Sequence, residues 1–350
     1  MEICLPKTKI DLRAENACHL IAEIGLNHNG SLDLAKELVY QSILSGSQLL
    51  KFQKREPTSL CIPSKLHAKF NKCAGLGNDQ KTLRESHELS TSDFSELIRY
   101  AAGFNAKVFT SVFDIPSFNF AKNLGIDLVK VASHSATNGP LLELIKVTST
   151  NAIISTGALT EREIFDIVSY FPKGQIALMH CVSSYPTQPK DAYIGTITTL
   201  RNRFPDVPIG YSSHELGIDL STCAAALGAS FIERHITLSQ AMQGFDHSIS
   251  LLPSEFANLS LKIRDITKAR GQKDTILSSE EQVREDYHVG IYAMEDLRSG
   301  TIIKSSMISA MQPANSRLTY FTGLEFSSLV GKTLNIDLHK FDQISRDMIS

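Results

Sequence analysis

DLVKVASHSATNGPLLELIKVTSTNAIISTG, residues Asp127 to Gly157, holds two short apolar runs that each end in polar residues, with helical periodicity between them. A strand, a helix and a second strand within roughly thirty residues make one β/α unit of a parallel sheet. The pattern extends both ways along the chain. Upstream lie HLIAEIGLNH from His19, QLLKFQ from Gln48 and KVFTS from Lys107; downstream lie QIALMHC from Gln175, VPIGYSSH from Val207 and SFIERH from Ser230. Eight such runs predict an α/β chain folded as a closed (β/α)₈ TIM barrel. Side chains just past the strand C-terminal ends of such a barrel share one mouth. Glu23, Lys51, Gln53, Lys130, Ser133, Ser155, His180, His214 and His235 are therefore predicted to converge.

Helix signals fit between the runs. Ser31 can cap a helix carrying Leu34, Leu38 and Leu44, which Gly46 can end in a left-handed turn. Ser90, Thr91 or Ser92 starts another with Phe94, Leu97 and Ile98, and Thr160 with Glu163 makes a capping-box pattern. Residues 1–17 read as a hairpin covering the barrel's bottom. The polar, lysine-rich stretch 54–89, on the active-site side, is long enough to read as a functional lid or a disordered loop. Residues 1–268 thus form the barrel domain, the polar stretch 269–287 a linker, and the short alternating runs of 288–350 a small β-rich module.

The 350 residues are enough for a large core, and a formal net charge of -2 leaves no broad footprint for nucleic acid or membrane. Cys4, Cys18, Cys61, Cys73, Cys181 and Cys223 show no CxxC pair or regular framework, which reads as reduced thiols. MEICLPKTKIDLRAE has no long apolar segment, and no run approaches about 18 apolar residues, so the expectation is a soluble cytoplasmic protein.

Several residue pairs carry chemistry. His214 and His235 end neighbouring strands and could bind Mn²⁺, Zn²⁺, Co²⁺ or Fe²⁺, or merely hydrogen-bond within the mouth. Lys51 and Lys130 interrupt apolar runs, where a buried ammonium needs an anion. They could clamp a phosphate or carboxylate, with Ser133, Ser155 and the Thr156–Gly157 backbone as further donors. One could instead form a Schiff base, or pair with Glu23. Glu23 and Asp246 are the carboxylates placed for acid–base work or hydroxyl binding, and Tyr185 in SSYPTQP could contact a sugar. No Walker A loop, HExxH helix or zinc-finger spacing occurs.

IAEIGLNHNGSLDLAKELV followed by KFQ resembles the opening of the sialic acid synthases, a family that includes legionaminic and pseudaminic acid synthases. The likeness continues through LRESHELSTSDFSEL, TSVFD, KVAS, ISTG, HCVSSYPTQPKDA, GYSSH and ERHITL with GFDH. Gly300, the MISA region, LVGKTL and RDMI resemble the family's C-terminal SAF (antifreeze-like) domain. The resemblance implies a condensation of phosphoenolpyruvate with an N-acetylmannosamine-like aldose, giving a nine-carbon 2-keto acid and phosphate. It implies His214 and His235 as ligands of Mn²⁺, with Mg²⁺ or Co²⁺ as alternatives. It assigns phosphoenolpyruvate to Lys51, Lys130, Ser133 and Ser155, and the sugar and intermediate to Glu23, Gln53, Ser183, Tyr185 and Asp246. It also implies a head-to-tail, domain-swapped homodimer. Three positions depart from the family pattern: Ser135 and Ser213 stand where acids are usual, and Gln312 where an arginine is usual, with Arg317 a nearby substitute. The rival readings are a Schiff-base pyruvate aldolase and a catalytically silent sugar-binding homologue.

Overall fold

The computed structural model describes residues 1–12, 17–68, 79–314 and 319–350. All eight apolar runs form strands: β3 (His19–Gly25), β4 (Leu49–Lys54), β5 (Lys107–Val112), β6 (Leu128–Val131), β7 (Asn151–Ser155), β8 (Ile176–Cys181), β9 (Ile209–Ser212) and β10 (Phe231–His235). They close in the order β10-β3-β4-β5-β6-β7-β8-β9 with every pair parallel. The strands read as nearly continuous apolar runs because helices cover one face and the barrel interior the other. Ser31 caps helix Leu32–Leu44 by accepting from Leu34 N–H at 3.3 Å, and Thr160 with Glu163 caps Glu161–Tyr170 as a full capping box. Each of these caps satisfies helix-end donors, so these two helices start within a few residues of a strand's polar tail.

The N-terminal hairpin is present. β1 (Glu2–Cys4) pairs antiparallel with β2 (Lys9–Asp11), burying Ile3 and Ile10. Lys107, the first residue of β5, donates Nζ to Cys4 O at 2.9 Å, which puts the hairpin at the strand N-terminal end, away from the mouth. Residues 54–89 are not one open loop: they include short helices Pro57–Leu60, Pro63–Leu66 and Gln80–Glu85. Leu66 and Leu83 anchor these helices by burial.

The compact unit holding the barrel runs from Met1 to Gly271, three residues beyond the expected boundary, because helix Pro253–Ala269 belongs to it. Gln272–Ser350 form a second unit, and the expected linker carries a helix, Ser278–Tyr287. In that unit β11 (Gly290–Ala293) pairs antiparallel with β12 (Ile308–Met311). Its own apolar cluster contains Ile291, Ile303, Ile308, Leu334 and Ile344, more core than its length suggests. Cys4, Cys18, Cys61, Cys181 and Cys223 are free thiols. Among the described residues no helix is long and apolar enough to cross a membrane.

Candidate active site

Strand register carries distant residues to one place. Glu23 on β3 lies opposite both His235 on β10 and Lys51 on β4, while Ser111 on β5 lies opposite Gln53 on β4 and Lys130 on β6. Their side chains enter a cavity of about 360 Å³ at the C-terminal mouth. Glu23, Lys51, Gln53, Lys130, Ser133, Ser155, Ser183, Tyr185, His214, His235 and Asp246 all line it.

At the floor is an ion cluster. Lys51 Nζ is 2.9 Å from Glu23 Oε2 and 3.3 Å from Glu233 Oε1, and it donates to Ser111 Oγ at 2.9 Å. Lys130 Nζ is 3.3 Å from Glu233 Oε2. Ser212 Oγ donates to Glu233 Oε1 at 3.2 Å, and Gln53 Nε2 to Glu23 Oε1 at 2.8 Å. Burial alone would raise the pKa of both carboxyls, and they diverge because their neighbours differ. At Glu233 the charges of Lys130 and Lys51 overcome burial and hold the carboxyl down to about 2. At Glu23 burial prevails over Lys51, so its pKa is raised. Burial opposes the charge on both lysines too; Glu23 and Glu233 outweigh it at Lys51, whose pKa is raised, whereas Lys130's is lowered. One carboxyl is thus held as an anion, while the other takes up a proton more readily than an ordinary glutamate.

Above the cluster the His214 and His235 rings lie 5.7 Å apart. His214 Nδ1 sits 3.1 Å from Val182 O, and a carbonyl only accepts, so Nδ1 carries the proton and Nε2 presents a lone pair. Burial, with His235 next in effect, lowers the His214 pKa to about 3, keeping the ring neutral. His235 Nδ1 is buried without a hydrogen-bond partner, 3.7 Å from Asp246 Oδ2. Two adjacent imidazoles, each with a ring nitrogen not used within the protein, fit a divalent ion that completes its shell with oxygen ligands. Among the described residues no cluster of three or more His, Cys, Asp and Glu is formed that could hold the ion by itself. The Tyr185 ring lies 4.1 Å from His214 at the half-exposed edge of the mouth.

Some expectations change. His180 is not in the mouth: Nε2 lies 2.9 Å from Ala192 O and the ring stacks on Tyr211, so it faces the helical layer. Its neighbour Cys181 lines the cavity instead, with Sγ 3.1 Å from Ser133 Oγ. The Thr156 and Gly157 N–H groups are spent within the protein, on Met179 O at 3.0 Å and Ser133 Oγ at 3.1 Å. Gly157 matters by its size, since a Cβ there would lie 2.5 Å from Ser183 Oγ and 2.6 Å from Ser133 Oγ. Arg317 lies outside the described residues.

The profile of the NeuB family matches residues 38–275, more than half the chain. The chain belongs to the NeuB family. Among its relatives is the N-acetylneuraminate-9-phosphate synthase of Drosophila melanogaster, 32% identical over 91% of this chain and 92% of that one. The N,N'-diacetyllegionaminic acid synthase of Campylobacter jejuni is 31% identical over 94% and 98%. The crystal structure of the N-acetylneuraminic acid synthetase of Leptospira borgpetersenii superposes with a TM-score of 0.70 at 32% identity, covering 81% of this chain and 95% of that one. This NeuB chain is an enzyme of the nonulosonic acid synthase type.

Its departures from the family pattern have local roles. Ser135 is buried and donates to Phe113 O at 3.2 Å. Ser213 donates to Glu215, which also accepts from Tyr211 OH at 3.1 Å, so a carboxylate is present two residues along. Gln312, in the second unit, donates to Tyr287 O at 2.7 Å. Sequence reading missed Glu233, Arg55, Arg84, Ser111 and Ser212, all of which line the cavity. Two had a signal. Residues two apart on a strand share a face, so His235 points to Glu233, and Lys51 with Gln53 points to Arg55.

Proposed function

We propose that the mouth condenses phosphoenolpyruvate with an N-acetylmannosamine-like aldose to give a nine-carbon 2-keto acid and inorganic phosphate. The observation that carries this reading is the pairing, in one cavity, of two buried ammonium groups with two adjacent imidazoles. Lys51 and Lys130 hold the anionic groups of phosphoenolpyruvate, with Ser133 and Ser155 donating hydroxyl hydrogen bonds. His214 and His235 hold the divalent ion, Mn²⁺ first among candidates. The chemistry a bound ion supplies is polarisation and orientation of the sugar aldehyde.

C3 of phosphoenolpyruvate is a weak nucleophile, so alignment against the aldehyde lowers the barrier most. Attack forms the C–C bond and leaves positive charge at C2. Water adds there, and the tetrahedral intermediate expels phosphate as the C2 carbonyl forms. Glu23, with its raised pKa, is the group that moves a proton between the adding water and the new hydroxyl. Glu233 stays anionic and fixes both lysines. Gln53, Ser183, Tyr185 and Asp246 contact the sugar. The second unit is proposed to be a SAF domain serving a partner's mouth in a homodimer, supported by relatives that match over nearly the full chain.

Phosphate release from phosphoenolpyruvate, assayed with Mn²⁺ against a panel of hexosamines, tests this reading. Release that needs both an acceptor and the metal is expected. No release with any acceptor favours a silent homologue; EDTA-resistant turnover with a borohydride-trapped lysine favours a Schiff-base aldolase.

A further inference from the structure

Lys51, Gln53 and Arg55 alternate along one face of β4 and its extension, from floor to rim. At about 3.3 Å per residue Arg55 lies roughly 13 Å further toward the mouth than Lys51. Its side chain is 8% exposed, its guanidinium sits 4.5 Å from the Phe113 ring centroid, and it donates to Gln53 Oε1. Its Nε is buried with no hydrogen-bond partner. Arg84, on helix Gln80–Glu85, reaches the same cavity and donates Nη2 to Gln80 Oε1 at 3.0 Å. Leu83 anchors that helix, and the His87 ring packs edge-on to Phe245, tying it to the loop that carries Asp246.

Among the described residues neither guanidinium has a carboxylate within 4.0 Å, and Glu88 and Asp246 favour the Arg55 charge only from a greater distance. Glu88 pairs with Lys54 at 2.8 Å. Asp114 accepts from Glu56 N–H at 2.9 Å and Ser117 N–H at 2.7 Å. Asp246 lies against His235. Residues 69–78, KFNKCAGLGN, contain no acidic side chain. Burial, opposed by Glu88 and reinforced by Arg84, lowers the Arg55 pKa to about 10. A buried guanidinium without a counter-ion is costly, whereas its planar fork suits a phosphate. Phosphoenolpyruvate, a three-carbon acid held at the floor, is too short to span to this rim. An acceptor sugar with its aldehyde at the histidine pair, above that floor, extends toward it.

We propose that Arg55 and Arg84 form a phosphate subsite for the end of the acceptor remote from its aldehyde, so that the enzyme takes a hexosamine phosphate in preference to a neutral hexosamine. This rests on the condensation reading above.

The test uses the full chain with Mn²⁺ and phosphoenolpyruvate, comparing N-acetylmannosamine 6-phosphate with N-acetylmannosamine. Two charge-assisted contacts make the expected wild-type preference in kcat/KM about 100-fold for the phosphorylated sugar. In Arg55→Gln, and separately in Arg84→Gln on the half-exposed lid helix, that preference falls at least about tenfold through acceptor KM. Arg55→Lys, which keeps the charge and loses the fork, recovers part of it. A wild type preferring the neutral sugar, an unchanged preference in both glutamine variants, or variants that chiefly raise the KM for phosphoenolpyruvate overturns the proposal. If no acceptor releases phosphate, the condensation reading fails separately, and calorimetry with the same two sugars decides the subsite. Tighter binding of the phosphorylated sugar, lost in Arg84→Gln, supports it; equal binding overturns it.

Discussion

Glu233→Gln keeps the shape of the side chain and removes the charge shared by two buried lysines. Lys51 and Lys130 each place Nζ 3.3 Å from the Glu233 carboxylate, and all three side chains are at most 5% exposed. In the variant Lys51 retains Glu23 at 2.9 Å, but Lys130 loses its one carboxylate partner among the described residues. Holding Glu233 at about 2 instead of the ordinary 4.5 is worth roughly 3 kcal/mol at pH 7. Removing one partner of a buried pair costs a similar ~3–5 kcal/mol. The depressed pKa sets the sign: the contribution is full above about pH 4.5 and is lost as pH falls toward 2. Urea unfolding of wild type and variant should therefore differ by roughly 3 kcal/mol at pH 7, and the gap should shrink as pH falls below about 4. Inorganic phosphate, which can replace the lost anion beside Lys130, should stabilise the variant more than the wild type. Equal unfolding midpoints at pH 7, or a gap that ignores pH, would refute the shared-counter-ion account.

Three further outcomes are expected. His214→Ala or His235→Ala should abolish turnover and weaken Mn²⁺ binding by calorimetry while circular dichroism stays unchanged; full activity in both variants removes the metal role. Gly157→Ala forces a Cβ against Ser133 and Ser183, so steady-state kinetics should show the KM for phosphoenolpyruvate rising about tenfold, with ~1–3 kcal/mol lost from stability. An unchanged KM would show that Ser133 does not position that substrate. Removing Gln272–Ser350 should leave a folded barrel with impaired acceptor use and a monomeric sedimentation profile; a fully active monomer contradicts the proposed role of the second unit.

The barrel was legible because its signals are local. Apolar runs, caps such as Ser31 and the Thr160–Glu163 box, and the distance between them are properties of a few neighbouring residues. Convergence of Glu23, Lys51, Lys130, His214 and His235 followed once the eight runs were counted, since closure brings every strand end to one rim. The second unit was harder to read, because its short strands and isolated bridges lack a long repeating pattern.

Written in the chain itself are the strand-and-helix alternation, the caps and most side chains of the mouth. Which of two adjacent residues faces inward was decided only by the closed sheet: Cys181 enters the cavity while His180 turns to the helices. The same holds for charge. Glu233 lies 103 residues from Lys130 in sequence, and nothing local marks them as partners. Strand register sets which face is interior and which distant charges meet, and register depends on the whole ring of strands at once.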